Sequence, residues 1–168
     1  MEHISVEQVK AEVHRFWKIF SSKSKDEMEN LYVPNANVFA SDARRIEPGR
    51  LTVARRMREY FGPLTQVRAE VGQIEVQIVN EEMAIACYTF HFQASKILPD
   101  GSRNDEDVPC GRATHVFQRD KHGVLRIFHE HISSAKPWRD YEPLRVNSVA
   151  AESRMEPVPA VAGAKNVK

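Results

Sequence analysis

The sequence predicts an α+β fold, in which a curved, mostly antiparallel sheet wraps around three N-terminal helices and leaves a pocket. Apolar residues recur at helical spacing over the first 60 or so positions, whereas from residue 69 onward they alternate with a period of two. Helices followed by a run of strands differ from the repeated strand–helix alternation of parallel sheets. Three helices cover only one face of such a sheet, so the other face must meet water or a second subunit.

The size and composition favour one domain, predicted over residues 1–142. The chain has 168 residues, with 24 Lys and Arg against 23 Asp and Glu, so a net charge of +1 gives no general attraction to nucleic acid or membranes. No apolar run approaches the length of a membrane span, and the N-terminus lacks a signal-peptide pattern, which predicts a cytoplasmic protein. Cys87 and Cys110 have no metal-binding or redox spacing and are expected to be reduced.

The three predicted helices lie in the N-terminal part of the chain. Ser5 begins the first helix, with Gln8 as its capping-box partner. Its apolar stripe comprises Val6, Val9, Val13, Phe16, Trp17 and Phe20. A short second helix is predicted over "DEMENLY", a short strand over 35–41, and a third helix over 51–61 that ends at Gly62-Pro63.

Four strands follow, at about 69–79, 83–94, 110–119 and 124–133. A charged turn, "LPDGSRNDED", separates the second strand from the third, and "DKHG" makes a tight turn before the fourth. From Pro143 the periodicity ends. Residues 143–168 are therefore predicted to form a mobile or partner-docking tail.

Three segments resemble the SnoaL-like proteins of the nuclear-transport-factor-2-like, or cystatin-like, superfamily. They are "FWKIFSSKSKDEMENLYVPNANVF", "EPGRLTVARRMREYF" and "GRATHVFQRDKHGVLRIFHEHISS", and they look nearest to the branch with the calmodulin-dependent kinase association domain. The resemblance implies an α+β cone with a pocket at its open end, and homodimers through the outer sheet face. The superfamily contains enzymes and assembly modules, so this likeness leaves the function open.

Alternation then selects the residues expected to line the pocket. On the fourth strand one face changes from apolar to polar along its length, and holds Leu125, Ile127, His129, His131 and Ser133. Glu130 falls on the opposite face, where the dimer contact is expected, so no carboxylate is expected inside the pocket. On the third strand either His115 or Arg112 points inward, and the resemblance favours His115.

The same reasoning turns Cys87, Thr89 and His91 of the second strand inward. Cys87 and His115 stand where the kinase association domain has pocket arginines, so the ligand of that domain is not carried over to this chain. Tyr60 or Tyr88 could add a hydrogen bond from a phenol.

Three roles remain open for the histidines: metal ligands, polar groups that bind an anion or acyl carbonyl, and buried polar groups without a function. His129 and His131 are close enough to share a metal, but the expected lack of inward carboxylates favours the second role, with no metal and no cofactor. The leading hypothesis is therefore a His-rich pocket for a small anionic or carbonyl-bearing molecule.

Two other classes of function remain open. One is an enzyme on the same pocket, with lyase, isomerase or cyclase chemistry and His131 as acid or base beside Ser133. The segment "HISSAKP" also resembles the end of the carbonic anhydrase-like branch, which would implicate His131 and Ser133 in hydration. The other class is a non-catalytic assembly module. No nucleic-acid or membrane partner is expected.

Overall fold

A computed structural model describes residues 3–39 and 46–134 of the protein. The helices are α1 (Val6–Ser22), α2 (Lys25–Asn30) and α3 (Arg50–Phe61). The strands are β1 (Tyr32–Phe39), β2 (Glu47–Pro48), β3 (Leu64–Ile78), β4 (Met83–Ile97), β5 (Arg103–Arg119) and β6 (Leu125–Ser134). The predicted α+β class is confirmed. The predicted tail at 143–168 lies outside the described residues.

Both ends of α1 follow from local chemistry. The Ser5 hydroxyl accepts a hydrogen bond from the Gln8 backbone N–H (3.1 Å), and the Gln8 side chain accepts one from the Ser5 backbone N–H (3.0 Å). This confirms the predicted capping box. The helix ends at Lys23, which adopts a left-handed conformation with φ of 58° and donates its N–H to the Phe20 carbonyl. Its buried stripe consists of Val9, Val13, Phe16, Trp17, Ile19 and Phe20.

The second helix is shorter than predicted, and the strand after it begins earlier. The apolar residues Tyr32 and Val33 enter β1 and are buried there. Pro34 lies in this strand, in the interval between Tyr32 and Asn37 where the pairing with β6 shifts register. A missing N–H is tolerated where no ladder bond is made, so Pro34 marks an irregular strand.

The sheet has the order β2-β1-β6-β5-β4-β3, with β1 parallel to β6 and the other pairs antiparallel. The strands β3, β4 and β5 are longer than predicted. The second half of the charged segment predicted as a turn belongs to β5, and the connection shrinks to residues 98–102. Gly101 takes a positive φ of 81° there, which glycine adopts without strain.

Register shifts interrupt the pairing of the long strands at four places. Two lie in β3, between Leu64 and Gln66 and between Val71 and Ile74. The others lie between β4 and β5 at Phe90 and Phe92, and between β5 and β6 at Val116 and Phe117. Each inserted residue bends its strand and reverses which residues face the helices beyond it. The shift between β5 and β6 decides which residues form the site described below.

The core lies between α1, α3 and the face of the sheet that we call the inner face. Aromatic rings dominate it: the Trp17 and Phe90 ring centroids are 4.4 Å apart, and those of Phe16 and His115 are 4.7 Å apart. The opposite, outer face alternates between exposed and half-buried side chains. In the described ranges, no helix combines the length and apolar character that crossing a membrane requires.

Candidate functional site

A cavity of about 480 Å³ lies between α1, α3 and the inner face. Its buried wall is mostly apolar and consists of Trp17, Phe20, Met57, Phe90, Phe92 and Glu130. Its more exposed rim is polar and includes Arg56, Tyr60, Lys96, Asn104, Asp105, Glu106, Ser133 and Ser134. An apolar pocket with a few polar groups is the usual form of a small-molecule site.

Glu130 is the acidic group of the buried wall. Its Oε2 atom accepts a hydrogen bond from the Tyr32 hydroxyl at 2.9 Å and lies 3.0 Å from His115 Nε2. Its Oε1 atom is buried and has no hydrogen-bond partner. The expectation that no carboxylate points inward is therefore wrong.

The register shift between β5 and β6 explains this orientation. Val116 pairs with His129 and Phe117 pairs with Ile127, so Phe128 is an extra residue in β6. Before the bulge the odd positions are buried, and after it Glu130 is buried instead. His129 and His131 are consequently turned to the outer face, and the predicted inward orientation of both is wrong. The ring of His131 lies 5.4 Å from that of Phe39.

A chain of polar side chains is connected to Glu130 through His115. The Tyr88 hydroxyl lies 3.3 Å from Nε2 and 3.4 Å from Nδ1 of His115, and it accepts a hydrogen bond from the Trp17 indole N–H at 3.1 Å. Burial raises the pKa of Tyr32 and of Tyr88 well above the usual value, and the charge of Glu130 raises both further. Both phenols therefore stay protonated.

The predicted inward orientation of His115 agrees with the structure, in which this residue is fully buried. His115 lies behind Glu130 and does not form the cavity wall itself. Tyr60 and Ser133 both reach the rim, and the Tyr60 hydroxyl donates a hydrogen bond to Glu106 Oε2 at 3.3 Å. Ser133 pairs with Arg112 on β5. The roles predicted for these three residues remain predictions.

The predicted inward orientation of Cys87, Thr89 and His91 is wrong. Cys87 and Thr89 are exposed on the outer face, where Cys87 lies 3.6 Å from the Thr114 hydroxyl and His91 pairs with Asp107 at 2.7 Å. The other face of β4 carries Tyr88, Phe90 and Phe92, which are all buried. Burial of these three large rings decides the orientation of the strand.

Sequence reasoning did not predict that four buried residues form one group in this site. They are Trp17, Tyr32, Tyr88 and Glu130. Their contacts join α1, β1, β4 and β6. In the part of the chain that the structure describes, no group of three or more His, Cys, Asp or Glu side chains could hold a metal ion. The buried polar groups of this site are the Glu130 carboxylate, the His115 imidazole, the Tyr32 and Tyr88 phenols and the Trp17 indole N–H.

Comparison with known proteins agrees with the fold. A family profile for the SnoaL-like domain matches residues 9–137. No match was found among curated proteins. Three similar solved structures cover most of the chain, and at their low identities the similarity shows the fold alone.

One similar structure is a proposed scytalone dehydratase from Novosphingobium aromaticivorans, with 11% identity, a TM-score of 0.69, and coverage of 77% of this chain and 83% of that one. Another is a ketosteroid isomerase-like protein from Erwinia carotovora atroseptica, with 10% identity, a TM-score of 0.64, and coverage of 79% and 97%. The third is a proposed calcium/calmodulin-dependent protein kinase II association domain from Xanthomonas campestris, with 14% identity, a TM-score of 0.64, and coverage of 79% and 89%.

Proposed function

Because the chain belongs to the family of SnoaL-like domains, we propose that its cavity binds a small organic molecule and that Glu130 exchanges a proton with it. The observation that carries this proposal is the unpartnered Oε1 atom of Glu130 in a cavity wall that is otherwise apolar. A buried carboxylate oxygen without a partner is costly, roughly 1–3 kcal/mol or more. A donor on a bound ligand would remove that cost.

The two oxygens of Glu130 have different surroundings. Tyr32 and His115 hold Oε2, which fixes the plane of the carboxyl group and leaves Oε1 available. A base that is already oriented loses little entropy when it reacts, and exclusion of water by the apolar wall strengthens its interaction with a ligand proton. Glu130 thus takes the acid–base role that the sequence had suggested for His131.

The reaction class that fits is proton transfer at carbon without a cofactor. Glu130 takes a proton from the carbon next to a carbonyl, the electron pair moves into the enolate, and Glu130 returns the proton to the same carbon or, when the enolate is conjugated with a C=C bond, to the far carbon of that double bond. Loss of water from a hydroxylated ring would begin with the same step. The names of two similar proteins, a proposed scytalone dehydratase and a ketosteroid isomerase-like protein, belong to this lyase and isomerase class.

The test measures this first step directly. A panel of cyclic ketones and enones is incubated with the protein in D₂O, and deuterium incorporation next to the carbonyl is followed by NMR. We expect Glu130→Gln to reduce the rate of any accelerated exchange by a factor of about 10²–10⁴, because the amide cannot accept the proton. Asp107→Asn removes a carboxylate from a histidine pair on the outer face and serves as the matched control.

Either of two results would contradict the proposal: no panel member exchanges faster than in buffer, or Glu130→Gln exchanges as fast as wild type. Circular dichroism must show that Glu130→Gln is folded, so that a lost rate reports on the carboxylate. His131→Ala is expected to keep the full rate, because His131 lies on the outer face.

We also propose that the protein forms a homodimer through its outer sheet face, as the sequence resemblance implied. Ile85 and Val116 lie opposite each other on β4 and β5, and both are half-buried there. A second copy could cover this apolar pair. Light scattering is expected to give the dimer mass for wild type and the monomer mass for Val116→Lys; a wild-type monomer would exclude this contact. The cytoplasmic location stays a prediction from the sequence.

A further inference from the structure

The residues that line the cavity are spread over many successive rows of the sheet. Glu130 pairs with His115, which pairs with Ala86 of β4, and ten residues further along β4 lies Lys96. Ten residues of extended strand correspond to roughly 33 Å, and the bends of this sheet shorten that path. Glu130 and Lys96 both line the cavity. They therefore stand near opposite ends of its lining.

Between these two residues the lining is apolar. The side chains that fill this interval are Trp17 and Phe20 from α1, Phe90 and Phe92 from β4, and Val108 from β5. The two Phe residues of β4 lie in the rows between Ala86 and Lys96. An elongated apolar body would follow this part of the wall, because each of its groups would leave water for an aromatic surface.

The charges of the rim are unevenly paired. Asp105 forms an ion pair with Arg103 at 2.7 Å, and Glu106 accepts the hydrogen bond from Tyr60. The half-buried Lys96 has neither an ion pair nor a hydrogen bond from its ammonium group within residues 3–39 and 46–134. By contrast, the Lys23 ammonium donates to the Leu64 carbonyl at 2.8 Å. Lys96 is thus a cation of the rim whose ammonium group is available to a ligand.

From this arrangement we infer that the ligand is an elongated carboxylate. Its anionic end pairs with Lys96, its apolar body lies along the aromatic wall, and its far end reaches Glu130. A negative group at Lys96 would gain a charge-assisted hydrogen bond. The position of the reacting end rests on the proposed function, whereas the preference for an anion at Lys96 can be measured without any turnover.

The test uses three ω-phenylalkanoates as probes, 4-phenylbutanoate, 6-phenylhexanoate and 8-phenyloctanoate, together with the corresponding uncharged alcohols. Affinities are measured by isothermal titration calorimetry on the full chain. We expect each carboxylate to bind about 3- to 10-fold more tightly than its alcohol, as a partly exposed charged contact permits. The affinity should rise with chain length until the chain fills the cavity.

Variants at Lys96 then locate the effect. Lys96→Met keeps the length of the side chain without the charge, and it should bind carboxylate and alcohol equally. Lys96→Arg should retain the preference for the carboxylate. Lys18→Met, on the exposed side of α1, is the matched control and should behave as wild type.

Three results would overturn the inference: a wild type that binds the alcohols as tightly as the carboxylates, a Lys96→Met variant with an unchanged preference, or a Lys18→Met variant with an equal loss. None of these bears on proton transfer by Glu130. Conversely, Glu130→Gln should keep the charge preference in calorimetry, so failure of the proposed reaction would leave this inference standing.

Discussion

The protein contains two histidine–carboxylate pairs, one on each face of the sheet. On the inner face, His115 and Glu130 are 3.0 Å apart, with side chains that are 0% and 1% exposed. On the outer face, His91 and Asp107 are closer, at 2.7 Å, but their side chains are 39% and 58% exposed. Water screens the outer pair and can replace either partner, whereas nothing replaces a lost partner inside. Burial, more than distance, thus determines what each pair contributes.

Removal of the carboxylates should produce the largest contrast. Glu130→Ala leaves the Tyr32 hydroxyl and His115 Nε2 without their partner, and we expect a loss of about 3–5 kcal/mol in the free energy of unfolding. Asp107→Ala should lose no more than about 1 kcal/mol. Urea denaturation of both variants measures the two values. Equal losses would mean that burial does not separate the two pairs.

The two faces also differ in how tightly a glycine is packed. A Cβ atom on Gly111 would lie 2.2–2.6 Å from three atoms of the Phe90 ring, and that ring also packs against Trp17, with the ring centroids 4.4 Å apart. We expect Gly111→Ala to cost about 1–3 kcal/mol, because Phe90 can move only by displacing its neighbours or entering the cavity.

Gly72→Ala provides the comparison for the outer face. A Cβ atom there would lie 2.4 Å from the hydroxyl oxygen of Thr89, an exposed side chain that is free to rotate. We expect a change within about 1 kcal/mol of zero, since relief of the clash needs one rotamer change. Thermal unfolding of both variants tests this order, and a larger loss for Gly72→Ala would reverse it.

Much of the fold could be predicted, because its signals are local. The capping box of Ser5 and Gln8 places the start of α1, and the alternation of small and aromatic residues places β4. These patterns depend on residues that are close in sequence. The long ends of β3, β4 and β5 carry charged residues without a clear alternation, so they were predicted as turns or left out.

The site could not be predicted in the same way, because its geometry depends on one inserted residue. Phe128 is the bulged position of β6, and no glycine or proline there marks it. Without the bulge, strict alternation places Glu130 outside and His129 and His131 inside. One inserted residue without a sequence signal therefore placed Glu130, and not the predicted catalytic His131, in the buried wall of the cavity.

On β4 a usable signal was present. Three large aromatic residues alternate with Cys87, Thr89 and His91, and the burial of aromatic rings outweighs the placement of small polar groups. The sequence resemblance favoured the polar set. The apolar surface area of the side chains alone would have predicted which face of β4 is buried.

A third carboxylate lies between the two pairs in exposure and gives the smallest expected effect. The side chain of Asp120 is 18% exposed; it accepts hydrogen bonds from Arg126 Nε (2.8 Å) and from the backbone N–H groups of Val124 and His122. The hydrogen bond from Arg126, with those backbone donors, lowers the pKa of Asp120 to about 2. In the unfolded chain this pKa is about 3.9.

The sign of the pH effect follows from these two values. Because the folded pKa is the lower one, the stabilisation by Asp120 is fully present above about pH 4 and is lost as the pH falls toward 2. The difference in melting temperature between wild type and Asp120→Asn should therefore be constant from pH 7 to about 5 and shrink below pH 4. Arg126→Met should weaken this pH dependence, because it removes the donor that lowers the pKa most. A difference that stays constant down to pH 2 would show that the three hydrogen bonds stabilise the turn through their geometry and not through the charge of the carboxylate.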